Sequence, residues 1–99
     1  RGRFQLSDMA RLEINEAFAA QVLGVVKGLA RAHQMTEEEI ASRLNVHGGA
    51  IALGHPLGSS GTRIVVSLVH ALRRENQPTG LASLCIGGGM GIALLVKTI

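Results

Sequence analysis

From Phe18 onward, apolar residues recur at Phe18, Val22, Val25, Val26 and Leu29, a spacing of three and four that predicts a helix over Glu16 to Ala32. Ala20, Gly24 and Gly28 add a second stripe at intervals of four. Each mid-helix glycine costs about 1 kcal/mol against alanine, so the stripe predicts close approach by a neighbouring element. Ahead of this helix, Leu12, Glu13 and Ile14 are a candidate short strand, whereas residues 1–9 have no clear periodicity. Thr36 followed by Glu37, Glu38 and Glu39 reads as a capped helix start with acids in its first turn, giving a short helix to about Leu44.

The pattern then breaks. Asn45 to Gly61 holds five glycines and a proline in seventeen residues. It is too flexible for a regular element and too apolar for an ordinary surface loop, which predicts a buried, shaped loop. From Ser60 to Arg74 helical spacing resumes, with Ser59 or Ser60 as candidate cap. Ile64, Val65, Val66, Leu68, Val69, Ala71 and Leu72 cover most of the helix circumference, the mark of a helix buried on nearly every side. Pro78, Thr79 and Gly80 predict a turn. Leu81 to Ile86 and Ile92 to Val96 then read as two antiparallel strands joined through Gly87, Gly88, Gly89, Met90 and Gly91.

Composition sharpens this picture. Hydrophobic residues make up 46% and charged residues 17%, so the chain is more apolar than an average soluble domain. Some of its apolar surface is therefore expected to be covered by something outside it. The length fits one compact unit with a single core, residues 1–99. With only Phe4 and Phe18 aromatic, the core must come from Val, Leu, Ile and Ala.

The net charge of +3 comes from ten basic residues dispersed along the chain, with Arg73 and Arg74 the one adjacent pair. A nucleic-acid surface needs clustered cations, with stacking aromatics for single strands, so that class is set aside. No apolar run approaches the ~20 residues that span a bilayer, which sets aside a membrane protein. The single cysteine fits a reducing compartment, and a soluble cytoplasmic enzyme is the expectation. The first residue is not methionine, as in a piece of a longer chain.

Three segments carry chemistry: Asn15-Glu16-Ala17-Phe18-Ala19, then Gly48-Gly49-Ala50-Ile51-Ala52-Leu53-Gly54-His55-Pro56, then Cys85-Ile86-Gly87-Gly88-Gly89-Met90-Gly91. Chemistry at a carbon next to a carbonyl needs a base to take a weakly acidic proton, and donors where the carbonyl oxygen gathers charge. A thiol titrates near 8.5 in water and is lowered by a cation or dipole, so Cys85, at the end of a buried strand, is a candidate base. His55, held by Pro56 and flanking glycines, can donate from one ring nitrogen while a backbone carbonyl orients the other. The glycines after Cys85 leave backbone N–H groups free to line an oxyanion site, where each donor is worth about 3 kcal/mol.

In this order and spacing the three segments resemble the thiolase family, over about Leu12 to Val96. The His-Pro and Cys-Gly motifs, thirty positions apart, are both specific to it. The resemblance implies an α/β fold: a thiolase-like carboxy-terminal half, with a mixed sheet, a buried helix and a final antiparallel hairpin. It implies an acyltransferase working on acyl-CoA and 3-ketoacyl-CoA, with fatty acid metabolism as the setting. It matches Cys85 to the family's proton-shuttling cysteine and His55 to the histidine that helps activate the nucleophile and stabilises the enolate. Asn15 matches the asparagine that holds a water in the same oxyanion site, and the Gly87 N–H matches part of a second hole.

The family also carries its acyl group on another cysteine in its amino-terminal half. Cys85 is the sole cysteine here, so the ninety-nine residues alone are expected to be inactive and the amino-terminal domain is an implied partner. A homo-oligomer is implied as well. No tightly bound cofactor and no metal is implied; the CoA thioester is substrate. His47 stands where many family members have asparagine.

Plainer readings exist for each residue. A lone cysteine in an apolar strand is commonly a small buried hydrophobe, and Asn15 can cap the following helix. His33 and His70 sit on helices with nothing catalytic beside them. As phosphate cradles the glycine runs fail: Ile92 stands at the sixth position of the dinucleotide pattern, and no lysine follows in Gly54 to Thr62. The alternative to an enzyme is a non-catalytic lipid carrier or scaffold on a decayed thiolase fold, which retention of Cys85 and His55 disfavours.

Overall fold

The computed structural model describes residues 5–87 and 90–98. After a single 3-10 turn at Leu6–Asp8, the chain runs through β1 (Arg11–Ile14), α1 (Ala19–His33), α2 (Glu37–Ala41) and α3 (Ala50–Leu53). It continues through α4 (Ser60–Arg74), β2 (Thr79–Gly87) and β3 (Met90–Lys97). The sheet order is β1-β2-β3. β1 and β2 are parallel, with Arg11 opposite Gly80 and Ile14 opposite Ser83. β2 and β3 form the antiparallel pair, Thr79 facing Lys97. The mixed sheet, the α4 helix and the final antiparallel strands are those expected.

Helices lie on both sides of β1 and β2, because Leu12 and Ile14 of β1 point to one face and Ala82 and Leu84 of β2 to the other, while β3 stays largely exposed. Leu12 and Ile14 pack with Leu6, Met9, Val22, Val26 and Ile40, which seats α1 and α2 on one face. Ala82 and Leu84 pack with Ile64, Leu68 and Leu72 of α4 on the other. Gly80 is required here, since a β-carbon on it would lie 2.7 Å from Leu68 Cδ1 and 3.1 Å from the Arg11 carbonyl. The Arg11 guanidinium reaches across to Glu75 at the end of α4, Nε to Oε1 2.7 Å, fastening strand to helix. At α2, Thr36 accepts from the Glu39 N–H at 3.1 Å while Glu39 reaches back to the Thr36 N–H at 3.3 Å. This capping box is the one the sequence signals.

Five expectations change. α1 begins at Ala19, three residues later than predicted, because residues 15–18 are held in a loop by contacts described below. Phe18 is therefore 74% exposed and does not join the core. Gly24 and Gly28 meet nothing within 4 Å, so no element among the described residues approaches their stripe. α4 buries one face, through Ile64, Leu68, Ala71 and Leu72, with Val65 half-buried against the same cluster, while Val66 finds no cover among the described residues. The loop from Asn45 to Gly61 contains the short α3, and Ile51, Leu53 and Leu57 are exposed instead of buried. α2 ends at Ala41, short of Leu44. No helix among the described residues is long and apolar enough to cross a membrane.

Candidate active site

In parallel sheets the crevice outside the carboxyl ends of the strands is where ligands bind. Asn15 stands at that end of β1, its N–H donating to the Ser83 carbonyl of β2 at 2.9 Å. Cys85 and Gly87 lie two and four residues further along β2. The first turn of α4 abuts the same end, since a β-carbon on Gly61 would touch Leu84 Cδ1 at 3.9 Å. His55 lies five residues before Ser60, which opens α4. All four residues marked in the sequence thus belong to segments that meet at one edge of the sheet.

Asn15 and His55 touch. Asn15 is 2% exposed, and its Nδ2 approaches His55 Nε2 at 3.5 Å, the long limit of a hydrogen bond. The other ring nitrogen, Nδ1, lies 2.6 Å from Ser60 Oγ, and that hydroxyl also reaches the Pro56 carbonyl at 3.2 Å. The histidine is therefore oriented by a serine hydroxyl, with the backbone carbonyl one bond further away than expected. When the hydroxyl donates to Pro56, Nδ1–H donates to it and Nε2 carries a lone pair. When the hydroxyl donates to Nδ1, Nε2 carries the proton. These are the two neutral tautomers: in the first, Nε2 accepts from Asn15 Nδ2, and passing to the second takes a proton off Nδ1 and puts one on Nε2 while the hydroxyl turns. The buried Asn15 Oδ1 has no hydrogen-bond partner among the described residues.

Cys85 is exposed, contrary to the buried position expected of it. Gly80, Ala82 and Leu84 face α4, so alternation turns Cys85 to the other face with Leu81 and Ser83. Its thiol enters no side-chain hydrogen bond among the described residues, so the structure brings Asn15 and His55 together but does not tie Cys85 to them. The strand is interrupted just beyond, with a register shift between Cys85 and Gly87 and Gly87 at φ +93°. A β-carbon on Gly87 would meet nothing, so glycine serves the left-handed backbone there. Gly88 and Gly89 of the same run lie outside the described residues. His47, His33 and His70 are all exposed.

Two contributors were not marked from the sequence. Ser60, read as a possible helix cap, makes no cap bond; Ser59 is the N-cap residue. The sequence offered only its place five residues after His55, at the start of an apolar helix; its full burial, which demands a hydrogen-bond partner, belongs to the folded chain. Glu16, the residue after Asn15, accepts from Asn45 Nδ2 at 3.0 Å and from the Ile51 N–H at 3.2 Å. Glu13, also 6% exposed, has its carboxyl pushed up to about 7 by burial and by the Glu16 charge, against the opposing pull of Arg63.

Residues 1–98 match the family model described as "Thiolase, C-terminal domain". The chain belongs to the thiolase carboxy-terminal domain family. It is similar to the acetyl-CoA acetyltransferase of Cupriavidus necator, 52% identical over 98% of this chain and 23% of that protein. It is also similar to the mitochondrial 3-ketoacyl-CoA thiolase of Mus musculus, 51% identical over 93% of this chain and 21% of that one. Among solved structures, the acetyl-CoA acetyltransferase of Bacillus anthracis superposes with a TM-score of 0.83 at 47% identity, covering 97% of this chain and 22% of that one. Human mitochondrial 3-ketoacyl-CoA thiolase in complex with CoA superposes at 0.81, with the same identity and coverage. The thiolase carboxy-terminal domain thus spans less than a quarter of the length of the relatives it matches.

Proposed function

We propose that this domain supplies the acid-base and oxyanion half of a thiolase active site, in a longer protein that interconverts acyl-CoA and 3-ketoacyl-CoA by reversible Claisen condensation. The observation that carries it is the hydrogen-bonded run Asn15–His55–Ser60 at the carboxyl end of two parallel strands, with Cys85 two residues beyond Ser83 on the second of them. Relatives named for this reaction, one of them solved with CoA, support the substrate class.

In the condensing direction the Cys85 thiolate takes a proton from the carbon next to the CoA thioester, becoming a thiol. The electron pair released moves towards the thioester oxygen, where His55, in the tautomer whose Nδ1 accepts from Ser60 and whose Nε2–H has exchanged Asn15 Nδ2 for the substrate, and a water on Asn15 Oδ1 donate to it. The carbanion then forms a carbon-carbon bond to an acyl group carried by a cysteine elsewhere in the longer protein, and that cysteine leaves as thiolate. The Gly87 N–H donates to the tetrahedral oxyanion formed in between. Cys85 and His55 thereby divide proton removal from charge stabilisation. CoA enters as part of the substrate, with no tightly bound cofactor. The same reading includes an inactive isolated domain, the amino-terminal thiolase domain as partner, a homo-oligomer, and a cytoplasmic location.

The test is thiolysis of acetoacetyl-CoA by the full-length protein beside its Cys85→Ala and His55→Ala variants. Loss of a positioned acid or base costs about 10²- to 10⁴-fold in rate, and each variant is expected to fall in that range. Activity equal in all three, or present in none, removes the catalytic reading and leaves the lipid carrier or scaffold.

A further inference from the structure

The densest polar contacts beside the Asn15–His55 pair centre on Glu16. Its Oε1 accepts from the Ile51 N–H at 3.2 Å and its Oε2 from Asn45 Nδ2 at 3.0 Å. The Asn45 amide is itself bound to the sheet, accepting from the Ile14 N–H and donating to the Ile14 carbonyl, both at 2.9 Å. Gly49 closes another side: a β-carbon there would lie 2.5 Å from Glu16 Cδ. The carboxylate, carried by the loop that follows β1, is thus clasped between Asn45, in the segment after α2, and the first turn of α3.

Chain order gives the clasp a consequence. Glu16 is bonded directly to Asn15, and Ile51 precedes His55 by four residues. Asn15 and His55 otherwise meet through a single 3.5 Å contact, too weak to set their own separation. Two charge-assisted bonds to one carboxylate are stronger and directional. Taking the thiolase reading above as its basis, we infer that Glu16 is a positioning residue that sets the spacing of Asn15 and His55 across the oxyanion site. Gly49 is glycine because that carboxylate occupies the space of its side chain. Glu16 reaches the reaction only through these two neighbours.

Two variants of the full-length protein test this. Glu16→Gln keeps the shape but presents an NH2 to one of two donors, and Gly49→Ala leaves the carboxylate intact while pushing it out of its seat. Misplacement by about 1 Å costs up to about a hundredfold in rate. In both variants kcat for thiolysis is expected to fall about tenfold to a hundredfold, with KM within about twofold of the parent. In a crystal structure of Glu16→Gln the Asn15–His55 approach should lengthen out of hydrogen-bond range. Parental kcat in either variant, an unchanged Asn15–His55 distance, or a fall in kcat that only follows loss of folded protein overturns the inference. An inactive parent overturns the thiolase reading itself, whereas an active parent with an unaffected Glu16→Gln overturns only the role of Glu16.

Discussion

Replacing Ser60 by alanine isolates the shorter of the two contacts on the imidazole proposed as catalytic, that of His55. Ser60 is fully buried, so no solvent molecule can take over the 2.6 Å contact between its hydroxyl and His55 Nδ1 without a rearrangement of α4. Deleting the hydroxyl leaves Nδ1 unpaired in a partly buried site, which costs about 1–3 kcal/mol. The ring loses its fixed orientation, and neither tautomer is held by a partner at Nδ1. If that cost falls on the transition state, each 1.36 kcal/mol is tenfold in rate, and kcat drops by about tenfold to a hundredfold. The assay is steady-state thiolysis of acetoacetyl-CoA by the full-length protein, with a thermal melt to confirm that the variant is folded. A folded Ser60→Ala protein whose kcat stays within about twofold of the parent refutes the orienting role.

Two further predictions concern stability. Gly80→Ala places a methyl 2.7 Å from Leu68 Cδ1 and 3.1 Å from Leu72 Cδ1, two side chains that are fully buried and cannot swing aside. Overpacking of this kind costs about 1–3 kcal/mol, measurable as a lower urea midpoint. Glu13 has its carboxyl raised from 4.5 to about 7, so folding favours the protonated form. Its contribution is fully present below pH 4.5 and is lost as pH rises through 7. Glu13→Gln should therefore be more stable than the parent above pH 7 and lack the decline between those values; identical pH profiles would show that Glu13 is solvated like an ordinary carboxylate.

The parts legible in the sequence are those whose signal is local. α4 ends where its periodicity ends, at Ser60 and Arg74, and Thr36 caps α2 because both halves of its box lie within four residues. The parallel pairing of β1 with β2 is different: it joins residues nearly seventy apart, and only the apolar character of both strands hinted at it. The errors share a physical origin. Exposed Ile51, Leu53, Leu57 and Val66 were read as buried because apolar residues report that they will be covered, not by what. α1 starts late because Glu16 is spent on Asn45 and Ile51, a long-range contact that periodicity does not register. Asn15 and His55 were recognisable by motif, yet their contact and the serine behind the ring appear only once the chain is folded.

The proposed assignment of Cys85 as the base is tested most directly by proton exchange, apart from carbon-carbon bond formation. The full-length protein, acetyl-CoA and deuterium oxide are mixed, and loss of the acetyl methyl signal is followed by nuclear magnetic resonance. Mass spectrometry reports acylation of the protein in parallel. The parent should exchange those protons, while Cys85→Ala should become acylated and yet exchange them at least about a hundredfold more slowly. Exchange at the parental rate without the Cys85 thiol would contradict its assignment as the base.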